Sequence, residues 1–162
     1  MRRHVKYVII MKNITLNNRI FNYEDLSSLK EELSNVSVVI SESAIIGNNV
    51  KIGNNVVIRD DARINSGAVI GKNIIIGHDV TIGENAYIDD NSTIIRSIVI
   101  TTYRYTVCWY SNGYIQIGCK TLSIEQWKDQ YLYLGIEFEL TTQQIKEYKT
   151  YIDFCGEMQE LV

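Results

Sequence analysis

A six-residue period runs unbroken through the middle of the chain and constrains the fold more than any other feature. Isoleucine returns at every sixth position, at Ile40, Ile46, Ile52, Ile58, Ile64, Ile70, Ile76, Ile82, Ile88, Ile94 and Ile100. Residues six apart fall about 240° apart around an α-helix, so a helix cannot bury such a column. Short strands can bury it, because residues i and i+2 of a strand share one face before the chain turns.

A second column supports short strands that close into coils. The residue two positions before each isoleucine is small or β-branched, as at Val38, Ala44, Val50, Val56, Ala62, Ala68, Ile74, Val80, Ala86, Ser92 and Ile98. Three strands close one coil of about 18 residues, so the repeats predict roughly three and a half coils stacked by parallel pairing. Isoleucine then fills the interior, and the smaller partner fits where a triangular section narrows.

The segments "IIGNNVKIGNNVVI" and "AVIGKNIIIGHDVTIGENAYI" carry the pattern most clearly. They resemble the hexapeptide repeat of the left-handed parallel β-helix, as in the hexapeptide-repeat acyltransferases. The resemblance covers residues 38–100 and is far more specific for fold than for activity. It implies an all-β core that is a left-handed parallel β-helix, which we place at residues 38–103.

The N-terminal segment, residues 1–37, predicts a small α/β cap over the open first coil. "YVIIMKNITL" and "RIFNY" flank a pair of asparagines as a hairpin. "NYEDLSSLKEELSN" predicts a helix with Asn22 as its N-cap and with Leu26, Leu29 and Leu33 on one stripe.

The C-terminal segment, residues 104–162, predicts a hairpin followed by two helices. The period fails here, because Arg104 stands where a small inward residue belongs. "YRYTVCWYSNGYIQIGCKTL" predicts a hairpin with Asn112–Gly113 in a type I′ turn. Capping boxes at Ser123 and Thr141, each with glutamine three residues later, mark the starts of the helices.

Composition and charge narrow the classes of partner. The net charge is −3, so no basic field draws nucleic acid or an anionic membrane surface. Neither a membrane-spanning run nor a signal peptide is evident. Three widely spaced cysteines favour a reducing cytoplasm over a disulfide framework or a zinc site. With only His4 and His78, the chain lacks the three histidines of a β-helical carbonic anhydrase, and we predict no metal.

Two polar columns mark the corners of the coils. Three residues after each isoleucine stand Ser43, Asn49, Asn55, Asp61, Gly67, Asn73, Asp79, Asn85, Asn91 and Ser97, residue types that suit a left-handed or turn conformation. Asp79 therefore has a structural explanation.

Two residues after each isoleucine lies a solvent-facing position, and stacking by 18 residues puts Asp60, His78 and Arg96 in one column, called the corner column here. A carboxylate one rung from an imidazole orients a general base, although two exposed charges loosely paired in water would give the same pattern.

The family resemblance adds a role for this column. In several hexapeptide acyltransferases a His-Asp pair followed by small-x-aliphatic-Gly supplies the catalytic base, and "HDVTIG", residues 78–83, fits that register. By this resemblance His78 deprotonates the acceptor, Asp60 orients it, and Gly77 or Gly83 presents N–H groups to the acyl oxygen of acetyl-CoA. We assign Gly77, Gly83 and Arg96 to cofactor binding.

The outward residues differ between the faces of the coil. One face carries Val39, Val57, Ile75 and Thr93, an apolar stripe that water does not favour. Another subunit or the chain's own C-terminal helices could cover it. In the family such surfaces form homotrimers with acyl-donor sites between subunits.

Three functions therefore stay open, the weakest of which is a sugar-nucleotide binding protein with a lost active site. The leading hypothesis is acetyl-CoA-dependent O- or N-acetyl transfer to a sugar or small amine by a homotrimer. The alternative is a non-catalytic trimeric β-helix that serves as a structural or binding module. The register of "GHDVTIG" favours the enzyme, whereas the absence of a loop interrupting the hexads favours the module. Aromatic residues in the tail more often join hairpin to helix than bind a ring.

Overall fold

The computed structural model describes residues 12–162 and confirms the predicted core, in which parallel coils stack into a β-solenoid of about three turns. Its strands are β3 (Val39–Ile40), β4 (Ile45–Ile46), β5 (Val50–Ile52), β6 (Val56–Ile58), β7 (Arg63–Ile64), β8 (Val69–Ile70), β9 (Ile74–Ile76), β10 (Thr81–Ile82), β11 (Tyr87–Ile88) and β12 (Thr93–Ile94). Strands β1 and β2 precede them in an N-terminal hairpin, Lys12–Leu16 and Arg19–Tyr23.

Residues 18 apart pair across neighbouring coils, as the period predicts. Val39 pairs with Val57, Val57 with Ile75, and Ile75 with Thr93. The sheet of β3, β6, β9 and β12 is called face one here. Face two consists of β4, β7 and β10, and face three of β5, β8 and β11.

The repeated isoleucines form the interior of the solenoid. Ile46, Ile64, Ile76, Ile82 and Ile94 are at most 2% exposed. Burial of one such side chain contributes about 1.5–3 kcal/mol, so the column is a large part of the driving force for coiling. The column of turn residues three positions after each isoleucine is also confirmed for its eight members from Asn49 to Asn91, which all have φ between 54° and 74°. Ser97, also predicted for this column, instead begins a strand, Ser97–Ile100.

The N-terminal hairpin extends the solenoid at its first coil. Strand β1 pairs in parallel with β5 and antiparallel with β2, which adds two strands to face three. The predicted N-cap was wrong, because Asn22 lies within β2. Asp25 instead accepts a hydrogen bond from the Ser27 N–H and begins a 3₁₀ helix, Leu26–Leu29, which α1 (Lys30–Asn35) continues. The part of the predicted hairpin before Lys12 lies outside the described residues.

The C-terminal sheet is larger than the predicted hairpin. Four antiparallel strands follow one another, namely β13 (Ser97–Ile100), β14 (Val107–Tyr110), β15 (Tyr114–Ile117) and β16 (Lys120–Ser123). Ile100 therefore belongs to this sheet and contacts the C-terminal core instead of forming a solenoid rung.

The turn between β14 and β15 also differs from the prediction. Three residues connect the strands, and only Gly113 has a positive φ, 88°. A type I′ turn needs positive φ at both central residues, so the predicted turn type was wrong. The Gly113 N–H donates to the Tyr110 carbonyl at 3.0 Å, which closes the longer loop.

The C-terminal sheet lies between the solenoid and two helices. These are α2 (Ile124–Glu137) and α3 (Thr142–Gln159), and both predicted capping boxes are confirmed. Alternation along β14 separates two cores, because Cys108 and Tyr110 join the solenoid core while Val107 and Trp109 join the core beneath the helices. Most tail aromatics are therefore part of the fold.

Side-chain hydroxyls of the C-terminal sheet accept hydrogen bonds from backbone N–H groups of the last coil. No further coil follows to supply carbonyl acceptors for these groups. The Thr81 N–H donates to Ser97 Oγ at 2.8 Å, and the Gly83 N–H donates to the Tyr110 hydroxyl at 2.9 Å. Ser111 Oγ accepts from the N–H groups of both Ile95 and Arg96. The sheet thus terminates the solenoid by replacing backbone acceptors with hydroxyl oxygens.

We expect Tyr110→Phe to lower the free energy of unfolding by about 1–3 kcal/mol, because it leaves buried polar groups unpaired. The Tyr110 hydroxyl accepts from Gly83 and donates to Gln116 Oε1 at 2.8 Å. Urea denaturation followed by circular dichroism measures the loss. Tyr114→Phe in the next strand is the control, since no hydrogen bond of the Tyr114 hydroxyl occurs within residues 12–162. Equal effects of the two changes would contradict this role.

Candidate functional site

The predicted corner column comes together on consecutive coils. His78 follows β9 and Asp60 follows β6, and the N–H of Asp79 donates to the Asp60 carbonyl at 3.1 Å. This backbone bond stacks the two turns directly. His78 Nδ1 lies 3.6 Å from Asp60 Oδ2, so the sequence correctly brought these side chains together.

The pair lies on an accessible edge of the solenoid. The side chains of His78 and Asp60 are 54% and 62% exposed. At such exposure an ion pair contributes only about 0–1 kcal/mol to stability, and the stacking of the two turns is what places the side chains together. With Nδ1 directed at Asp60, His78 Nε2 has no hydrogen-bond partner among residues 12–162. The geometry therefore leaves one imidazole nitrogen available for proton transfer.

A third residue, which the sequence reasoning missed, holds the carboxylate. Ser41 Oγ donates to Asp60 Oδ1, so the two oxygens of Asp60 face a hydroxyl on one side and the imidazole on the other. Ser41 lies one position before the corner column and 19 residues before Asp60. A strict comparison of residues 18 apart therefore passes over it.

The two glycines assigned to the acyl oxygen use their N–H groups inside the fold. The Gly77 N–H donates to the Ile94 carbonyl at 2.7 Å, and the Gly83 N–H donates to the Tyr110 hydroxyl. Both residues are buried. Their role toward an acyl oxygen stays a prediction, and it requires these hydrogen bonds to be given up.

Arg96 lies one coil beyond His78 and borders the same depression. Ser111 fixes its backbone, since the Arg96 N–H donates to Ser111 Oγ and the Arg96 carbonyl accepts from the Ser111 N–H. Together with Trp109 and Met158, His78 and Arg96 line an open depression of about 210 Å³. Small-molecule sites usually occupy about 300–1,000 Å³, so one chain by itself offers only part of such a site.

Face one is not covered by the chain's own helices. Val39 is 60% exposed and Ile75 is 38% exposed, while the C-terminal helices contact the terminal sheet instead. This excludes one of the two coverings considered for the apolar stripe. An apolar surface that the described helices leave uncovered therefore adjoins the Asp60–His78 corner.

The remaining sequence predictions concern metals, cysteines and membranes. No group of three or more His, Cys, Asp or Glu side chains between Lys12 and Val162 is arranged to hold a metal, and His4 lies outside that range. Cys108, Cys119 and Cys155 are unpaired. No helix between residues 12 and 162 combines the length and apolar character needed to cross a bilayer. A cytoplasmic location stays a prediction.

Comparison with known proteins supports the repeat. Residues 61–96, two full coils that include His78, match the family model described as "Bacterial transferase hexapeptide (six repeats)". Comparisons with curated proteins and with solved structures gave no significant match. Hexapeptide repeats occur both in acyltransferases and in proteins without catalytic activity.

Proposed function

We propose that this hexapeptide-repeat chain is an acyltransferase that moves an acetyl group from acetyl-CoA to a hydroxyl or amine of a sugar or other small acceptor. The observation that carries the proposal is the Asp60–His78 contact of 3.6 Å on an accessible corner. This contact lies beside the coils that match the transferase hexapeptide model, and His78 lies within them.

The geometry suits general base catalysis at His78. Nε2 would take the proton of the acceptor O–H or N–H while the oxygen or nitrogen attacks the thioester carbonyl carbon. The carbon–sulfur bond then breaks, and the proton passes from the imidazolium to the departing thiolate of CoA. Asp60, held by Ser41, would orient the ring through its contact with Nδ1.

Arg96 is the proposed contact for the anionic part of the cofactor. Its guanidinium is always charged and matches phosphate oxygens in geometry. It follows His78 along the corner column, and no ion pair engages it within the described part of the chain. Because the depression of about 210 Å³ is small, the rest of the cofactor would need a further wall.

A homotrimer would supply that wall from a second copy of the chain. The apolar stripe of face one is exposed and adjoins the His78 corner, so packing of copies along it would place the corner at a cleft between subunits. Burial of this stripe also removes apolar surface from water, which favours association.

We expect Ile75→Asp to convert the trimer into monomers, because it places a charge at the centre of the apolar stripe. Ile75 lies at the middle of β9 with its side chain outward, so the solenoid core does not depend on it. Size-exclusion chromatography with multi-angle light scattering at micromolar concentration measures the change.

Ile136→Asp is the matched control for this experiment. Ile136 is 65% exposed on α2, away from face one, and its replacement should leave the mass unchanged. A wild-type chain that is already monomeric at this concentration would contradict the intersubunit site.

Calorimetric titration of the full chain with acetyl-CoA and with CoA tests the proposed donor. Binding of both, followed by release of free thiol with an accepting sugar or amine, is the expected result. Absence of binding would favour the second candidate function.

That candidate is a non-catalytic trimeric module. Two observations favour it, since the hexads from Val38 to Ile94 run without an inserted loop and the His78 depression is small. Such a module would retain the trimer but would neither bind acetyl-CoA nor release CoA.

A further inference from the structure

A second, larger groove opens where the solenoid meets the C-terminal sheet. It has a volume of about 580 Å³, within the range of small-molecule sites. The corner between faces two and three forms one wall, with Asn65 and Ser66 on one coil and Glu84 and Asn85 on the next. The segment Thr101–Thr106 contributes to the opposite wall. His78 lies at the other end of face two, so the groove is separate from the candidate catalytic corner.

The floor of this groove is built from buried, hydrogen-bonded groups. Gln116 is 2% exposed, and its Nε2 donates to the carbonyls of Glu84 at 2.6 Å and Gly118 at 2.7 Å. These bonds tie the solenoid corner to the C-terminal sheet. A Cβ at Gly83 would lie 2.3 Å from Gln116 Oε1 and 3.0 Å from Cys108 Sγ, so a larger residue there would displace the hydrogen-bonded Gln116 side chain. Glycine at position 83 therefore lets Gln116 form the floor.

The lining of the groove is rich in hydrogen-bonding groups and carries no net charge. One cation, Arg104, and one anion, Glu84, lie on the walls, and within residues 12–162 neither forms an ion pair. The other polar side chains of the lining are amides, hydroxyls and two thiols: Asn65, Ser66, Asn85, Thr101, Tyr105, Thr106, Gln116, Cys108 and Cys119. Burial raises the pKa of the Cys108 thiol, which keeps the floor uncharged at neutral pH.

Two contacts position Arg104 at the rim. Its guanidinium carbon lies 5.5 Å from the centre of the Tyr105 ring, and Nη1 donates to the Glu139 carbonyl at 3.4 Å. Most of its N–H groups stay available to a ligand, and the cation–π contact limits the rotamer freedom lost on binding. Glu84 supplies acceptors from the opposite wall.

We propose that this groove binds a neutral, polyhydroxylated ligand, that is, a sugar ring of a glycoside. Hydroxyl groups both donate and accept, so they can satisfy Arg104, Glu84 and the amides together. An anionic ligand would meet one carboxylate as well as one cation in the lining. An apolar ligand would remove water from these polar groups without replacing the lost hydrogen bonds. The groove is open and its contacts are few, so we expect millimolar affinity.

Nuclear magnetic resonance on the ¹⁵N-labelled full chain tests this site with neutral methyl glycosides of glucose, galactose and N-acetylglucosamine. We expect at least one glycoside to shift amide signals of residues 83–85, 104–106 and 118–119. Thr101→Trp, which places a large ring against the wall, should weaken that binding by about tenfold or more. Thr150→Trp on the exposed face of α3 is the control and should leave it unchanged.

Two further arms separate this proposal from its rivals. Glu84→Gln keeps the shape of the side chain but removes its charge, and it should also weaken glycoside binding. His78→Ala should leave the glycoside affinity unchanged, whatever it does to acetyl transfer. The proposal is overturned if no glycoside shifts these signals at millimolar concentration, if the shifts lie elsewhere, or if CoA or inorganic phosphate alone occupies the groove.

Discussion

His78→Ala is expected to lower the rate of acetyl transfer from acetyl-CoA by about 10²–10⁴-fold, the usual contribution of a general base. The imidazole is half exposed, and among residues 12–162 only Asp60 lies within ion-pair distance of it, so the fold should survive its removal. The measurement is the release of CoA thiol in the presence of an accepted sugar or amine, together with a thermal melt of each variant. Unchanged melting with a large loss of turnover would identify a chemical role for His78.

Neighbouring variants distinguish the base from the turn that carries it. Asp60→Asn should reduce turnover less than His78→Ala, because it removes the orienting charge but leaves the imidazole. Asp79→Asn is the matched control, since asparagine tolerates the φ of 58° at this corner and should leave turnover little changed. Full turnover by His78→Ala would remove His78 from the mechanism and leave the non-catalytic module as the better account.

Ile76→Ala is expected to lower the free energy of unfolding by about 2–5 kcal/mol. Ile76 is 0% exposed in the centre of the isoleucine column, and its coil is paired on both sides. Loss of three side-chain carbons there leaves a cavity that the rigid stack of rungs cannot close. Urea denaturation at one fixed protein concentration measures the loss, because association would otherwise contribute to the apparent stability.

The adjacent residue provides the control for this prediction. Ile75→Ala changes the same side chain on the same strand, but this side chain points outward and is 38% exposed. We expect Ile75→Ala to cost clearly less than Ile76→Ala when both are measured as monomers. If the two variants were equally destabilised, the inward and outward assignment of β9 would be incorrect.

The period was sufficient to predict the solenoid because every hexad repeats the same strand and turn. Ile76 and Val80 are buried, and Asp79 adopts a left-handed turn, for reasons visible within one hexad. The Asp60–His78 contact was also predictable, since parallel stacking converts a separation of 18 residues into direct contact. The contact of Ser41 with Asp60 was not predicted, because these residues are 19 apart and the repeat aligns only residues that are 18 apart.

The ends of the chain were less predictable, since no repeat constrains them. Asn22 was placed at a helix N-cap because asparagine suits that position, but pairing with Asn13 across the hairpin keeps it in a strand. The turn at Gly113 depends on the register of β14 with β15, which the dipeptide alone does not specify. In both cases pairing between strands overrode a local preference.

The short repeat was enough to predict the coils, the inward isoleucine column, the left-handed corners and the column of Asp60, His78 and Arg96, because each recurs with the same period. Other features depend on contacts between segments that share no period. Such contacts leave face one uncovered by the helices, use the Gly77 and Gly83 N–H groups within the fold, and bring Gln116 and Arg104 to the lining of a groove. Local periodicity sets which way a side chain points, whereas the partner it meets depends on how distant segments pack.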